Sequence, residues 1–217
     1  PEQYYLPLSS LVVVENTTNK GGGACWDYTE LEKIQKVCAE RGLSYHLDGA
    51  RLFNALVAKN EAPKQYGKLF DSISICLSKG LGAPIGSLLL SSEKNIYNAI
   101  RIRKLFGGGM RQVGYLAAAG IYALDHHVDR LEEDHQRAKT LGEALMASDW
   151  IEKVEPIETN IIIFKLHKNR DEQLFLAALE KENIKLISMG EGKLRIVTHL
   201  DFTDEMLSKV LEVLKKI

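Results

Sequence analysis

Two short stretches put reactive side chains where an apolar run gives way to a tight turn. One is Leu47-Asp48-Gly49-Ala50-Arg51, an acid and a guanidinium around a small turn. The other is Leu77-Ser78-Lys79-Gly80-Leu81-Gly82-Ala83-Pro84, an amine inside a Gly/Pro turn. If both runs are strands of an open parallel sheet, both turns open where such sheets collect ligands, outside the carboxyl ends of the strands. An amine held there is a candidate for Schiff-base chemistry with a carbonyl group. A buried carboxylate beside it could keep a pyridine-type nitrogen protonated by favouring the charged form. Arg51 and Arg195 are the guanidinium candidates for gripping a carboxylate with two parallel hydrogen bonds. Plainer readings exist: Lys79 as a solvated loop lysine, Asp48 and Arg51 as a structural ion pair, and Arg195 as an ordinary strand arginine.

These residues need a scaffold, and the sequence describes one. Leu11-Val12-Val13-Val14 is continuous and β-branched, as expected for a strand covered on both faces. Residues 28–41 carry Leu31, Ile34, Val37 and Cys38 at helical spacing, with Asp27 or Thr29 to cap the start and Gly42 to end it. Strands are expected at residues 43–47, 72–77 and 86–90, so the first part reads as βαβ units of a mostly parallel sheet. Helical patterns cover residues 93–105, 112–124 and 128–147. A strand at 161–166, a helix at 171–182, short strands at 186–188 and 194–198 and a helix at 203–216 follow. The predicted organisation is a large sheet domain over 1–126, a connecting helix over 127–149, and a small α+β domain over 150–217.

Composition narrows the function classes. With 28 basic and 29 acidic residues among 217, the chain has no net field to attract nucleic acid or an anionic membrane. No apolar run approaches the ~20 residues of a bilayer span. Cys25, Cys38 and Cys76 form no CxxC pair; Cys38 and Cys76 fall in apolar patterns, as buried thiols of a reducing, cytoplasmic compartment would. Gly21-Gly22-Gly23 lacks the Lys-Ser/Thr ending of a nucleotide loop and reads as flexible. Gly107-Gly108-Gly109 reads as a reversal that places Lys104 and Arg111. His126, His127 and His135 lack spacing that closes a metal site and read as a solvated, charged face; no metal is expected. His46 points the same way as Asp48 and reads as supporting, while His199 stays open. The chain begins Pro1-Glu2-Gln3 rather than Met, which suggests that residues precede it.

Five stretches together resemble one family. They are Glu15-Asn16-Thr17, His46-Leu47-Asp48-Gly49-Ala50-Arg51-Leu52-Phe53-Asn54-Ala55, Ser78-Lys79-Gly80-Leu81-Gly82-Ala83-Pro84-Ile85-Gly86-Ser87, Lys104-Leu105-Phe106-Gly107-Gly108-Gly109-Met110-Arg111-Gln112 and Leu194-Arg195-Ile196-Val197-Thr198-His199. In this order they are similar to the signatures of the L-threonine aldolases. The resemblance implies a pyridoxal-phosphate enzyme of the aspartate-aminotransferase fold type, incomplete at its N-terminal side. Lys79 would bond the cofactor and Asp48 would meet its ring nitrogen. Arg51 would lie beside the phenolic oxygen or the substrate carboxylate, and Arg195 would grip that carboxylate. Lys104 and Arg111 would line the entrance, often of a neighbouring subunit's site in a homotetramer. The implied reaction is cleavage of L-threonine or a related L-β-hydroxy-α-amino acid to glycine and an aldehyde. The alternatives are a related β-eliminating lyase and a catalytically incompetent fragment. The chain departs from the family at Thr18, where the family often has histidine, and around Tyr4 and Tyr5, where a histidine near the substrate hydroxyl is expected. The family's phosphate-binding turn and ring-stacking residue would lie upstream of Pro1.

Overall fold

The computed structural model describes residues 4–217; Pro1-Glu2-Gln3 lies outside the described residues. Two four-stranded sheets carry the architecture. The first contains β1 (Leu11–Glu15), β2 (Ser44–Gly49), β3 (Ser72–Cys76) and β4 (Ser87–Ser91), in that order. β1, β2 and β3 run parallel, and β4 is antiparallel to β3. The ten residues between β3 and β4 are too few for a parallel crossover, so the chain turns straight back.

The helix α1 (Tyr28–Glu40) starts where Asp27 accepts a hydrogen bond from the Thr29 amide at 2.9 Å. It buries Leu31 and Cys38 against the sheet. Two helices not foreseen in the sequence, α2 (Leu52–Lys59) and α3 (Pro63–Leu69), fill the connection from β2 to β3. The apolar run of α2 hides its period, while Pro63 begins α3 at a position suited to proline. Leu31, Tyr45, Leu47, Tyr66 and Ile73 close this core, with Tyr45 and Phe70 stacked at 4.2 Å.

Beyond β4 come α4 (Glu93–Leu105), α5 (Gly114–His126) and α6 (Leu131–Met146). The second sheet, β5-β6-β8-β7, is antiparallel throughout and comprises β5 (Ile151–Val154), β6 (Ile161–Leu166), β7 (Ile187–Gly190) and β8 (Lys193–Val197). With α7 (Glu172–Lys181) and α8 (Asp204–Leu214) it encloses a core around Phe164, Phe175, Leu179 and Leu194. The helix α6 belongs to both halves: Leu131 packs with Leu77 and Leu81, whereas Ala138, Leu141 and Leu145 pack in the second core.

The glycine-rich stretch after β1 differs from its reading as a flexible loop. Gly22 and Gly23 are buried with φ of 74° and 76°, and the Gly23 carbonyl accepts a hydrogen bond from Thr159 Oγ1 at 2.7 Å. Added side chains would meet Thr159 and Ile161 at Gly23, so the glycines serve close packing on the second sheet.

β1 is not covered on both faces: Leu11 and Val13 are half exposed while Val14 is buried. On β4, Leu88, Leu89 and Leu90 are 40%, 47% and 45% exposed, and α4 buries no residue. The accessible surface is 14032 Å², against about 10,000 Å² for a compact monomer of this mass. Among the described residues no helix is long and apolar enough to cross a membrane.

Candidate active site

Parallel pairing brings the ends of β1, β2 and β3 to one edge of the sheet. Glu15 pairs with Asp48, and Asp48 with Ser74. Alternation sends Tyr45 and Leu47 into the core, leaving His46 and Asp48 half-buried on the opposite face. His46 Nδ1 lies 2.7 Å from Ser72 Oγ, which ties it to the neighbouring strand. Asp48 Oδ1 accepts from the Ala50 amide at 3.1 Å and so folds the turn that follows. A side chain at Gly49 would come within 2.7 Å of the Ser74 carbonyl oxygen, so glycine permits the close approach of β2 to β3. Cys76, read as a buried thiol, is only partly buried, because it shares the open face with Asp48.

The turn carrying Lys79 is tightly bonded. The Gly82 amide donates to the Lys79 carbonyl and the Ala83 amide to that of Leu77, both at 2.9 Å, and Gly82 takes φ +70°. Two histidines hold it from below. His127 Nδ1 donates to the Leu81 carbonyl at 2.6 Å. His135 Nε2 lies 3.1 Å from Asn54 Nδ2, and Asn54 packs under Gly80. Asn54 therefore donates and His135 accepts, which requires the neutral ring. Burial lowers the His135 pKa, against the opposing influence of Glu132 and Asp134. The reading of His126, His127 and His135 as one solvated face thus holds only for His126, which is exposed. A helix crossing between two cores has less free surface than its charge suggests.

Lys79 opens into a cleft of about 380 Å³ lined also by Arg51, Asn160, His199 and Asp201. Arg51, at the start of α2, has its pKa lowered first by burial and then by Arg195, so the two guanidiniums stand near each other. Arg195 comes from β8, and its Nη1 donates to Asn19 Oδ1 at 3.1 Å. Arg51 thus shares the cleft with Lys79, while Asp48 and Arg195 do not line it but stand close enough to act on Arg51. Lys104, in the last turn of α4, and Arg111, on the connection from α4 to α5, are exposed and do not line this cleft. Gly107, with φ +83°, reverses the chain between them.

Asn160 and Asn19 were not singled out in the sequence. Asn160 Nδ2 donates to the Thr198 carbonyl at 2.8 Å, while its Oδ1 is buried with no partner; Arg195 Nε is likewise buried and unpaired. The only sequence signal was a polar Thr159-Asn160 pair abutting the run Ile161-Ile162-Ile163.

The family model described as beta-eliminating lyase matches residues 1–169. The chain belongs to this family. It is 38% identical over 214 residues to a probable low-specificity L-threonine aldolase 2 of Arabidopsis thaliana, covering 97% of this chain and 60% of that protein. It is 40% identical over 210 residues to the low specificity L-threonine aldolase of Escherichia coli (strain K12), covering 97% and 61%. The chain therefore spans about 60% of the length of these two relatives. The threonine aldolase structure from Leishmania major superposes with a TM-score of 0.82 at 23% identity, over 99% of this chain and 63% of that one, which establishes the fold. The threonine aldolase resemblance seen in the motifs and the expected fold type are thus both supported.

The cofactor of the beta-eliminating lyase family is pyridoxal phosphate. The residues present fit it. An amine opens into a cleft large enough for a ring, an acid stands on the adjacent strand end, and Asn160 Oδ1 and Arg195 Nε are a buried acceptor and a buried donor that no described residue satisfies.

Proposed function

We propose that the protein cleaves L-threonine or a related L-β-hydroxy-α-amino acid to glycine and an aldehyde, with pyridoxal phosphate bonded to Lys79. The observation that carries this reading is the placement of Lys79 in a cleft it shares with Arg51, one strand away from Asp48. When bound, the cofactor supplies an electron sink for the pair left on Cα as the Cα–Cβ bond breaks. Asp48 would keep the ring nitrogen protonated. Arg195, with Arg51 beside it, would hold the substrate carboxylate and so fix which Cα bond stands perpendicular to the ring. His199 lies at the cleft, its Nδ1 accepting from the Asp201 amide at 3.2 Å, where it could handle a proton of the substrate hydroxyl.

Several further readings belong to this proposal. The chain divides into a cofactor-binding part over 1–126, a connecting helix over 127–149 and a small domain over 150–217. The exposed apolar side chains of α4 and α5, among them Tyr97, Leu105 and Tyr115, support a homotetramer in which Lys104 and Arg111 reach a neighbouring site. Free Cys25, Cys38 and Cys76 support a cytoplasmic location.

Borohydride reduction of the cofactor-loaded protein should leave a pyridoxyl group on the Ser78-Lys79-Gly80 peptide, and Lys79→Ala should abolish turnover. Label on another lysine removes the central assignment. The family description also favours β-elimination as a second reading. Glycine and an aldehyde as products support the aldolase, whereas ammonia and a keto acid support elimination.

A further inference from the structure

The arginine on β8 is held by a residue from the loop that follows β1 of the other sheet. Asn19 lies four positions past the end of β1, and its Oδ1 accepts from Arg195 Nη1 at 3.1 Å across 176 residues of sequence. Its backbone is fixed within a bonded loop. The Thr18 amide donates to the Ala24 carbonyl at 3.0 Å, the Gly23 amide to that of Thr18 at 2.8 Å, and the Gly22 amide to that of Asn19 at 3.4 Å. The Thr159 hydroxyl then anchors Gly23 to the second sheet.

A guanidinium can present two parallel N–H groups to a carboxylate along its Nη1–Nη2 edge or along its Nε–Nη2 edge. Asn19 takes one N–H of Nη1, an atom that belongs to the first of these edges. On the second, Nε is buried with no partner among the described residues. A charged donor left unpaired inside a protein is destabilising, and an acceptor brought by a ligand would relieve it. Arg51 is the second cation of this neighbourhood, close enough for Arg195 to lower its pKa.

We infer that Asn19 is a positioning residue for the substrate carboxylate, turning Arg195 so that its Nε–Nη2 edge reads the anion. The inference rests on the proposed role of Arg195 as the carboxylate anchor. Asn19 suits the task because an amide oxygen orients the guanidinium without cancelling its charge. An aspartate of the same shape would orient it equally well and neutralise it. Structural support and anion selection therefore diverge at this position: a purely structural partner of Arg195 would tolerate Asp, whereas a positioning residue would not.

The test titrates the full-length, cofactor-loaded protein with glycine and, separately, with ethylamine, an amine that lacks the carboxylate, following the cofactor's absorbance. Asn19→Asp should weaken glycine about tenfold or more while leaving ethylamine and the melting temperature unchanged. Asn19→Ala, which frees the guanidinium instead of neutralising it, should weaken glycine by a smaller factor and again spare ethylamine. It carries the test if the aspartate variant does not fold. Unchanged glycine affinity in both variants, or an equal loss for glycine and ethylamine, overturns the inference. Arg195→Lys separates the two levels. If it leaves glycine binding intact, the carboxylate assignment of Arg195 itself falls. If it weakens glycine while the Asn19 variants do not, only the role of Asn19 falls.

Discussion

β4 and β6 are both short apolar strands, Ser-Leu-Leu-Leu-Ser and Ile-Ile-Ile-Phe-Lys-Leu, yet they end in opposite environments. Every residue of β6 but Lys165 is buried, between β5 and β8 and beneath Phe175 and α6. On β4 the three leucines stay exposed, at the edge of the sheet with only the unburied helix α4 alongside. An apolar run states that a strand needs covering and does not say what covers it. The same contrast runs through the molecule. The second sheet closes its own core, whereas the first carries the proposed chemistry on an open face and leaves its apolar edges uncovered.

Under that division, substitutions on the first sheet's site should act on rate and those in the second sheet on stability. The largest effect is expected for Asp48→Asn, which keeps the shape but cannot hold a ring nitrogen protonated. Its turnover should fall about a thousandfold, or ~4 kcal/mol of barrier, with cofactor retained. Near-normal kcat in that variant takes Asp48 out of the mechanism. Next comes a matched pair of deletions: Ile162→Ala should cost about 2–5 kcal/mol in urea unfolding, and Leu89→Ala about 0.5 kcal/mol or less. Equal losses would show that β4 is as well packed as β6 and would break the comparison.

The smallest effect sharpens the comparison at the helix that joins the halves. His135 has a pKa below its unfolded value, so between the two pKa values the unfolded chain binds more protons than the folded one. Stability should therefore fall as pH drops below about 6.5 and level off once the folded-state pKa is passed. The slope contributed is at most ~1.4 kcal/mol per pH unit. His135→Gln keeps an acceptor for Asn54 and should remove that slope, as read from urea midpoints between pH 5 and pH 7. An unchanged profile would assign the acid sensitivity to other groups.

Much of the fold was legible because periodicity reports burial. The alternation of β2, the capped helix α1 and the strand-end positions of Asp48 and Lys79 follow from residue type and spacing alone. Local pattern failed where tertiary packing decides the outcome. α2 is apolar around most of its circumference, so its period vanished. The triple glycine looked mobile because nothing local shows that Thr159 and Ile161 close over it. Asn19, Asn160, His127 and His135 act across the fold, and a contact over 176 residues such as Asn19 to Arg195 leaves no mark on the residues beside either partner.

The open face of the first sheet also bears on how the chain responds to denaturant. Sensitivity to urea scales with the surface newly exposed on unfolding. A fully unfolded chain of this mass exposes about 35,000 Å². Because 14032 Å² is already accessible in the fold, unfolding uncovers about 15% less than it would from a compact protein of the same size. The urea m-value should be lower by about that fraction, giving a transition broader than chain length alone implies.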